Sequence, residues 1–363
     1  IYTAYPSTPQ ANVPHFSDGI LFGEMAVFGM GQVTPLINYA DVRMGYNNTE
    51  LNINVTIFDR RLWNDTSPVY AEFDLYDSVT ILLNTGNYYQ PALSPDIYKF
   101  TLQAYKGGSP IPYRAVYRWG EGGWEQLGID FNLVAGWRGN DFNDNSDDRG
   151  WVANFYIPFS SLGLTRPAEG TTWGVTVIIH DKDEAAMTVN PVGIWPQNSN
   201  QEKPFTWTKL RFGLPTYTAP PVTSSQTVMI REGINGVVVP DAGVGGTTGN
   251  LCPGDAYFIW NVWGNLNFGS RWDFNLQNQQ DVADWPCFSK AYLRFPIDMI
   301  PPGKKIVSAT LLLHFWGGSK PINGPSSLIQ VFTVNQTWQE DLVTWNNGPW
   351  AWENVSRTWV HTP

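Results

Sequence analysis

Tryptophans in polar loops are the residues of this chain whose surroundings best suit ligand binding. Trp63 lies in the segment FDRRLWND, Trp195 in GIWPQNSNQEKP and Trp137 in VAGWRGND. A pyranose ring has an apolar C–H face and a rim of hydroxyls, so an aromatic ring with polar neighbours suits it. The neighbours that could bond to sugar hydroxyls are Asp59, Arg60 and Gln197. The alternative is that these rings cap the hydrophobic core or a subunit contact.

An oxygen-rich loop, NDFNDNSDD at residues 140–148, is the candidate metal site. Its candidate ligands are Asp141, Asn143, Asn145 and Asp147. Their alternate spacing resembles the first half of a calcium loop, D-x-N-x-N-x-D. Ser146 stands where such a loop has glycine, and Val152 stands where it has a bidentate glutamate. The spacing predicts Ca²⁺ binding, and the alternative is an acidic turn in contact with solvent.

Histidine is scarce, which bears on catalysis. The histidines of the chain are His15, His180, His314 and His361. None has a nucleophile motif nearby, and the sequence contains no G-x-S-x-G segment. The H-x-x-x-H and C-x-x-C spacings typical of zinc sites are missing as well. No segment singles out a carboxylate pair for glycoside cleavage, whose separation is a three-dimensional property. We therefore expect a protein that is not an enzyme.

The elements that must hold these loops are strands. Apolar and polar residues alternate in short blocks separated by Gly, Asn and Pro, which is the period of a β-strand. Up to residue 213 the blocks span 40–46, 51–59, 78–84, 97–104, 113–119, 151–158, 172–181 and 205–212. The predicted fold class is all-β, with two β-sandwich, jelly-roll-like domains. The predicted order is an extended arm (1–14), a first sandwich (15–213), a Pro/Thr-rich linker (214–225) and a second sandwich (226–363).

The first predicted sandwich carries three recognisable segments. They are DVRMGYNNTELNINVTIFD, DSVTILLN and WVANFYIPFSSLGLTRPAEGTTWG, ending at residues 59, 84 and 174. Together they resemble the family 9 carbohydrate-binding and DOMON-like β-sandwich group. Sugar-binding members of that group clamp a terminal sugar between two tryptophans from comparable loops, so the resemblance implies this role for Trp63 and Trp195. The group also includes haem-binding and purely structural members, so the fold alone does not fix the function.

The second predicted domain carries AYLRFPIDMIPPGKKIVSATLLLHF at residues 291–315 and WQEDLVTWNNGP at 338–349. The first segment alternates in two blocks, Tyr292–Phe295 and Ile306–Phe315, which predict antiparallel strands joined by a Pro-Pro-Gly turn. The pattern resembles the DNRLRE domain, a β-sandwich module of secreted and cell-surface proteins that is often associated with glycans. DNRLRE domains continue further than this chain does. We therefore expect either a longer native chain or a missing strand supplied by a neighbouring subunit, for which the arm at 1–14 is a candidate.

Composition limits the partners. The net charge of −10 argues against nucleic acid, because no basic stripe offsets phosphate charge. No apolar run approaches the roughly 20 residues that span a bilayer. The chain begins at Ile1 without an initiator Met or a signal peptide, which predicts either a mature exported form whose leader has been removed or a fragment of a longer chain.

Covalent features of exported proteins are also present. A disulfide between Cys252 and Cys287 would contribute roughly 4 kcal/mol in the chain-entropy model, and the alternative is two isolated thiols. The N-x-S/T acceptor sequences for possible N-glycosylation are at Asn47, Asn54, Asn64, Asn335 and Asn354.

Two functions follow from these patterns. The first is a non-catalytic extracellular or cell-surface protein that binds or adheres to a polysaccharide or surface glycan through exposed aromatic residues. The second is a structural subunit of a self-assembling extracellular filament or surface layer. Such a homopolymer would exchange strands between neighbouring subunits through the N-terminal arm.

Overall fold

Strands dominate the computed structural model, which describes residues 8–86, 89–109, 111–129, 131–187, 192–246, 263–277, 289–317 and 326–361. The strands are β1 (Gln10–Val13), β2 (Ala26–Gly31), β3 (Tyr39–Tyr46), β4 (Glu50–Phe58), β5 (Ser78–Asn84), β6 (Ile97–Gln103), β7 (Arg114–Gly120), β8 (Gly123–Leu127), β9 (Asn132–Arg138), β10 (Gly150–Pro158), β11 (Thr172–His180), β12 (Val192–Trp195), β13 (Thr208–Phe212), β14 (Asp241–Gly245), β15 (Ser289–Leu293), β16 (Ser327–Thr333) and β17 (Glu353–Val360). The helical elements in these ranges are short 3₁₀ turns at Phe22–Glu24, Tyr70–Leu75, Ile111–Tyr113, Phe159–Leu162, Pro204–Thr206, Ile234–Gly236, Trp263–Asn265 and Ile297–Met299. The all-β prediction is confirmed. No helix in the described ranges is long and apolar enough to cross a membrane.

Two sheets face each other and enclose the main core. The larger sheet has the order β16-β17-β1-β13-β11-β5-β6-β7-β8, with β12 paired to β11, and the smaller has the order β2-β3-β4-β10-β9. Alternation along β10 turns Trp151, Ala153, Phe155 and Ile157 inward, as the period-two pattern requires. These side chains meet inward residues of the larger sheet in one continuous buried cluster.

The first described strand lies inside the larger sheet. β1 runs parallel to β13 on one side, where Gln10 pairs with Lys209, and parallel to β17 on the other, where Gln10 pairs with Glu353. The described part of the predicted arm is therefore a strand of its own chain. This differs from the expectation of an arm donated to a neighbouring subunit.

The C-terminal part packs on the sandwich through a second apolar cluster. Trp345 contacts Tyr39 of β3, with ring centroids 5.1 Å apart at 68°, and Trp263 and Tyr292 belong to the same cluster. Strands β14 and β15 form a separate two-stranded sheet, whereas β16 and β17 extend the larger sheet. The second predicted domain is thus joined to the first by a shared sheet and by buried aromatic contacts.

The predicted strand Ile306–Phe315 is not a strand in the structure. Residues 304–317 carry no strand assignment and their side chains are almost all exposed. Alternation shows which face of a segment is apolar, but a strand forms only where another edge accepts its backbone hydrogen bonds. Among the described residues no strand pairs with this segment.

Candidate functional site

Trp195 faces the core and is not available to a sugar. It ends β12, where it pairs with Val177 of β11, and its ring packs against Phe28 at a centroid distance of 5.1 Å. Only 1% of its surface is exposed. The prediction of a clamp between Trp63 and Trp195 is therefore wrong, because one of the two rings has no accessible face. The predicted contact residue Gln197 is exposed and accepts a hydrogen bond from Gln336 at 3.3 Å.

Trp63 is half-buried and is held by its backbone. Its N–H donates to Asp77 Oδ2 at 2.5 Å, and its carbonyl accepts the Asp77 N–H at 3.1 Å. The two polar neighbours expected to reach a sugar are otherwise engaged. Asp59 is fully buried, and Arg60 pairs with Asp147 at 2.7 Å. This geometry argues against a sugar site around Trp63.

Trp137 lies on β9 and is also half-buried. Its indole N–H donates to the Lys106 carbonyl at 2.9 Å, and its ring meets the edge of Phe142 at 5.1 Å. These contacts fix the ring against the loop at residues 140–148. Trp137 therefore offers only part of its surface to a ligand.

The side-chain oxygens of the predicted calcium loop already bind other groups of the protein. Asp141 pairs with Lys106 at 2.6 Å, Asn145 accepts from Arg61 at 3.0 Å, and Asp147 pairs with Arg60. Asn143 Oδ1 accepts the backbone N–H of Asn64 at 2.9 Å. Because basic side chains and a backbone N–H already bind these oxygens, the geometry argues against the predicted set of four metal ligands.

Three of the predicted glycosylation sites are buried in the folded chain. They are Asn54, Asn64 and Asn354. Asn335 is exposed, and Asn47 is half-buried, with its Oδ1 accepting the backbone N–H groups of Thr49 and Glu50. A glycan on a buried asparagine would need the fold to open. Cys252 and Cys287 lie outside the described residues, so their disulfide stays a prediction.

Three carboxylates that the sequence did not group meet at one end of the sandwich. Asp59 follows β4 directly, Asp181 follows β11, and Asp183 lies two residues further along. One carboxylate oxygen from each lies within 4.8 Å of the other two. Asp77 stands beside them at the start of β5, which pairs with β11. The signal in the sequence is an aspartate at the end of the predicted blocks 51–59 and 172–181.

We call Asp59, Asp77, Asp181 and Asp183 the acidic cluster. Their surroundings disfavour the charged form of the carboxyl groups. Burial, then repulsion from Asp77 and Asp181, raises the pKa of Asp59 well above the usual range. Burial and repulsion from Asp181 do the same to the pKa of Asp77. Burial and repulsion from Asp183 raise the pKa of Asp181 to about 8. Burial raises the pKa of Asp183, while Arg61 and Arg60 oppose that rise.

Two exposed tryptophans touch each other on the C-terminal part. Trp272 and Trp316 have ring centroids 5.4 Å apart at 32°, and they are 82% and 60% exposed. Arg271 and Asp273 flank Trp272 and pair with each other at 3.3 Å. Sequence reasoning missed this pair because Trp316 directly follows a block, Ile306–Phe315, interpreted as a strand. The charged neighbours of Trp272 match the criterion applied to Trp63 and could have identified it.

The comparisons with known proteins concern both parts of the chain. Residues 252–360 match the model of carbohydrate-binding module family 96. No curated protein matches the chain.

Three solved structures are similar at low identity. A family 9 carbohydrate-binding module from Caldicellulosiruptor kristjanssonii, in complex with cellotriose, has 12% identity and a TM-score of 0.37, covering 59% of this chain and 100% of that one. The same kind of module in complex with glucose has 13% identity and a TM-score of 0.39, covering 58% and 100%. A putative carbohydrate-binding protein from Bacteroides uniformis has 10% identity and a TM-score of 0.42, covering 56% and 100%.

Proposed function

We propose that this is a non-catalytic extracellular or cell-surface protein that binds a glycan, with the Trp272–Trp316 pair as its platform. The observation that carries the proposal is the exposure of two touching indole rings within the segment matched by a carbohydrate-binding family. Paired exposed aromatics of this size mark interaction sites, because leaving such apolar area in water is unfavourable. Sugar C–H faces would cover the open ring faces.

Polar groups beside the rings complete the chemistry that a sugar needs. The Arg271 guanidinium and the Asp273 carboxylate lie next to Trp272 in the chain and are held together by their ion pair. A guanidinium donates hydrogen bonds and a carboxylate accepts them, so the two groups together can bind two neighbouring sugar hydroxyls. The wider ligand is a polysaccharide or surface glycan, as a platform of two rings spans more than one sugar unit.

The test is binding of the full chain to a panel of soluble and insoluble polysaccharides, neutral and acidic. Trp272→Ala and Trp316→Ala are each expected to weaken binding about 30-fold, the size of an aromatic hot spot. The matched control is Trp359→Ala, which removes a tryptophan that is 46% exposed on β17. Equal binding by all three variants, or no binding by the unaltered chain, would overturn the proposal.

The second candidate function, a structural subunit of a filament or surface layer, is favoured by the segment 306–316. Its alternation places Leu311, Leu313 and Phe315 on one face, and all three are exposed. An exposed apolar segment with strand alternation is a template for pairing with another chain. The occupant proposed here is a second copy of this chain, which would pair along this segment rather than through β1.

Light scattering after size exclusion, with electron microscopy of the same material, tests this assembly. The unaltered chain is expected to polymerise, and Leu311→Asp combined with Leu313→Asp is expected to leave monomers. Thr310→Asp, on the opposite face of the same segment, is the control and should still polymerise. A monomer at every protein concentration contradicts the assembly function and leaves the glycan platform to its own test.

A further inference from the structure

The acidic cluster at the end of the sandwich contains carboxylate oxygens with no hydrogen-bond partner in the described part of the chain. Asp59 uses Oδ1 to accept the Arg61 N–H at 2.8 Å, and Asp181 uses Oδ1 to accept from Asn38 at 2.8 Å. The Oδ2 atoms of Asp59 and Asp181 are buried and form no hydrogen bond with any residue that the structure describes. The two residues are 0% and 3% exposed. A buried polar atom without a partner is costly and needs an explanation.

The spacing of the oxygens is that of a shared ion. One oxygen each from Asp59, Asp181 and Asp183 lies within 4.8 Å of the others. Calcium binds oxygen at 2.3–2.6 Å, so two of its ligands are separated by at most about 5 Å. The three oxygens can therefore touch one Ca²⁺ without rearrangement of the backbone. The donors are all hard oxygens, which excludes the softer metals that prefer nitrogen or sulfur.

Positive side chains near the cluster do not take the place of an ion. Lys182 is buried beside Asp181, but its ammonium lies over the Tyr76 ring at 4.2 Å from the centroid. Arg60 pairs with Asp147 and Arg61 donates to Asn145, although both favour the charged form of Asp183. The Oδ2 atoms of Asp59 and Asp181 thus have no hydrogen-bond donor among the described residues.

We propose that Asp59, Asp181 and Asp183 bind a divalent cation, Ca²⁺ by their oxygen chemistry, with Asp77 supporting the site. Asp77 accepts backbone N–H groups with both oxygens, from Trp63 at 2.5 Å and from Lys182 at 2.7 Å, so it orders the loops that present the ligands. This site differs from the loop at residues 140–148 that the sequence predicted, and it is independent of the glycan platform.

The bound ion would connect the two sheets. Asp59 follows a strand of the smaller sheet, while Asp181 and Asp183 follow a strand of the larger one. A ligand that binds only the folded chain stabilises it in proportion to the logarithm of its concentration over Kd. The competing explanation is that the carboxyl groups keep their protons and share hydrogen bonds, in which case calcium would have no effect on stability.

The experiment uses the full chain, freed of metal with EDTA and dialysed, with CaCl₂ alone as the probe. Calorimetric titration and the melting temperature are measured at pH 7, with MgCl₂ as a parallel arm. We expect one Ca²⁺ per chain and a melting temperature that rises with calcium concentration. Asp181→Asn, which keeps the side-chain volume, should weaken calcium binding about 10-fold or more. Asp141→Asn, in the loop first predicted to bind calcium, is the matched control and should bind as the unaltered chain does.

Two results would overturn the proposal. One is the absence of a calcium-dependent heat and melting shift in the unaltered chain. The other is a loss of affinity in Asp141→Asn that equals the loss in Asp181→Asn. If Asp181→Asn fails to fold, the half-buried Asp183→Asn replaces it, and the melting shift of the unaltered chain remains decisive. A response to Mg²⁺ that equals the response to Ca²⁺ would overturn the choice of ion.

Discussion

Asn12 and Asn354 bind each other across the junction between the first and last described strands. The Asn12 backbone N–H donates to Asn354 Oδ1 at 2.8 Å, and Asn354 Nδ2 donates to the Asn12 carbonyl at 2.7 Å. Asn12 Nδ2 also donates to the Asn354 carbonyl at 2.9 Å. Because β1 and β17 share a single register pair, the two amide side chains add hydrogen bonds across this junction beyond those of the strand ladder.

Replacing Asn354 with alanine should therefore weaken the fold. Two of the three hydrogen bonds use its side chain, and both are buried, so the free energy of unfolding should fall by about 2 kcal/mol or more. Urea denaturation measures this change. Asn335→Ala removes an exposed asparagine of the same sequon type and should change the free energy by less than about 0.5 kcal/mol. Equal stability of the two variants would contradict the role given to Asn354.

Trp195→Ala should affect stability and not ligand affinity. Removal of a buried tryptophan costs about 3–5 kcal/mol, and the ring fills space against Phe28. Thermal or urea unfolding gives the loss, and polysaccharide binding is measured well below the transition. The exposed Gln197→Ala serves as the surface control, with a change below about 0.5 kcal/mol. A stable Trp195→Ala protein with lost binding would restore the clamp prediction.

Gly264→Ala should loosen the contact between the C-terminal part and the sandwich. A Cβ at this position would lie 2.9 Å from the Val33 carbonyl oxygen and 2.8 Å from Asn346 Nδ2. Such crowding should lower the free energy of unfolding by about 1–3 kcal/mol, because the Val33 carbonyl belongs to the backbone and cannot easily move away. Denaturant unfolding detects the change. Gly128→Ala adds the same methyl group to open space, so a comparable loss there would show that the effect comes from glycine itself.

The buried Asp148 should give stability a dependence on pH. Burial raises the pKa of Asp148 to about 6, against hydrogen bonds from the backbone N–H groups of Asn140 and Leu62. The folded state thus favours the protonated form. Its contribution is fully present below the unfolded pKa of about 3.9 and is lost as the pH rises through about 6.

Asp148→Asn removes this titration. The difference in melting temperature, unaltered chain minus variant, should therefore decrease as the pH is raised from 4 to 7. Differential scanning calorimetry across this range measures it. The exposed Asp144→Asn is the control for a general charge effect in the same loop. A temperature difference that stays flat with pH would contradict the assignment to Asp148.

The strands were readable from the sequence because period-two alternation is a local property. The predicted block 78–84 coincides with β5. The block 151–158 differs from β10 by one residue at its start, and the block 51–59 is shifted from β4 by one residue at each end. Alternation does not show whether the apolar face of a segment points to the core or to solvent. It also does not show which neighbouring strand the segment pairs with. Trp195 and the segment 306–315 were misjudged for that reason.

The candidate sites were harder to predict, since both depend on chain segments that lie far apart. Trp272 contacts Trp316, which lies more than forty residues later in the sequence. Asp59 lies close to Asp181, although the two residues follow strands of different sheets. Each residue had a recognisable local context, but nothing local indicated its partner. The exposed or unpartnered state of these groups is visible only in the folded chain.

The parallel course of β1 and β17 has a mechanical consequence. A pull on the N-terminal end of β1 against the C-terminal end of β17 acts along both strands in opposite directions. The hydrogen bonds between Asn12 and Asn354 are then loaded in shear. They must break at the same time, whereas bonds pulled across the strands would break one after another. A chain anchored by its two ends would resist tension along this line, and force spectroscopy with handles at residues 8 and 361 would measure that resistance.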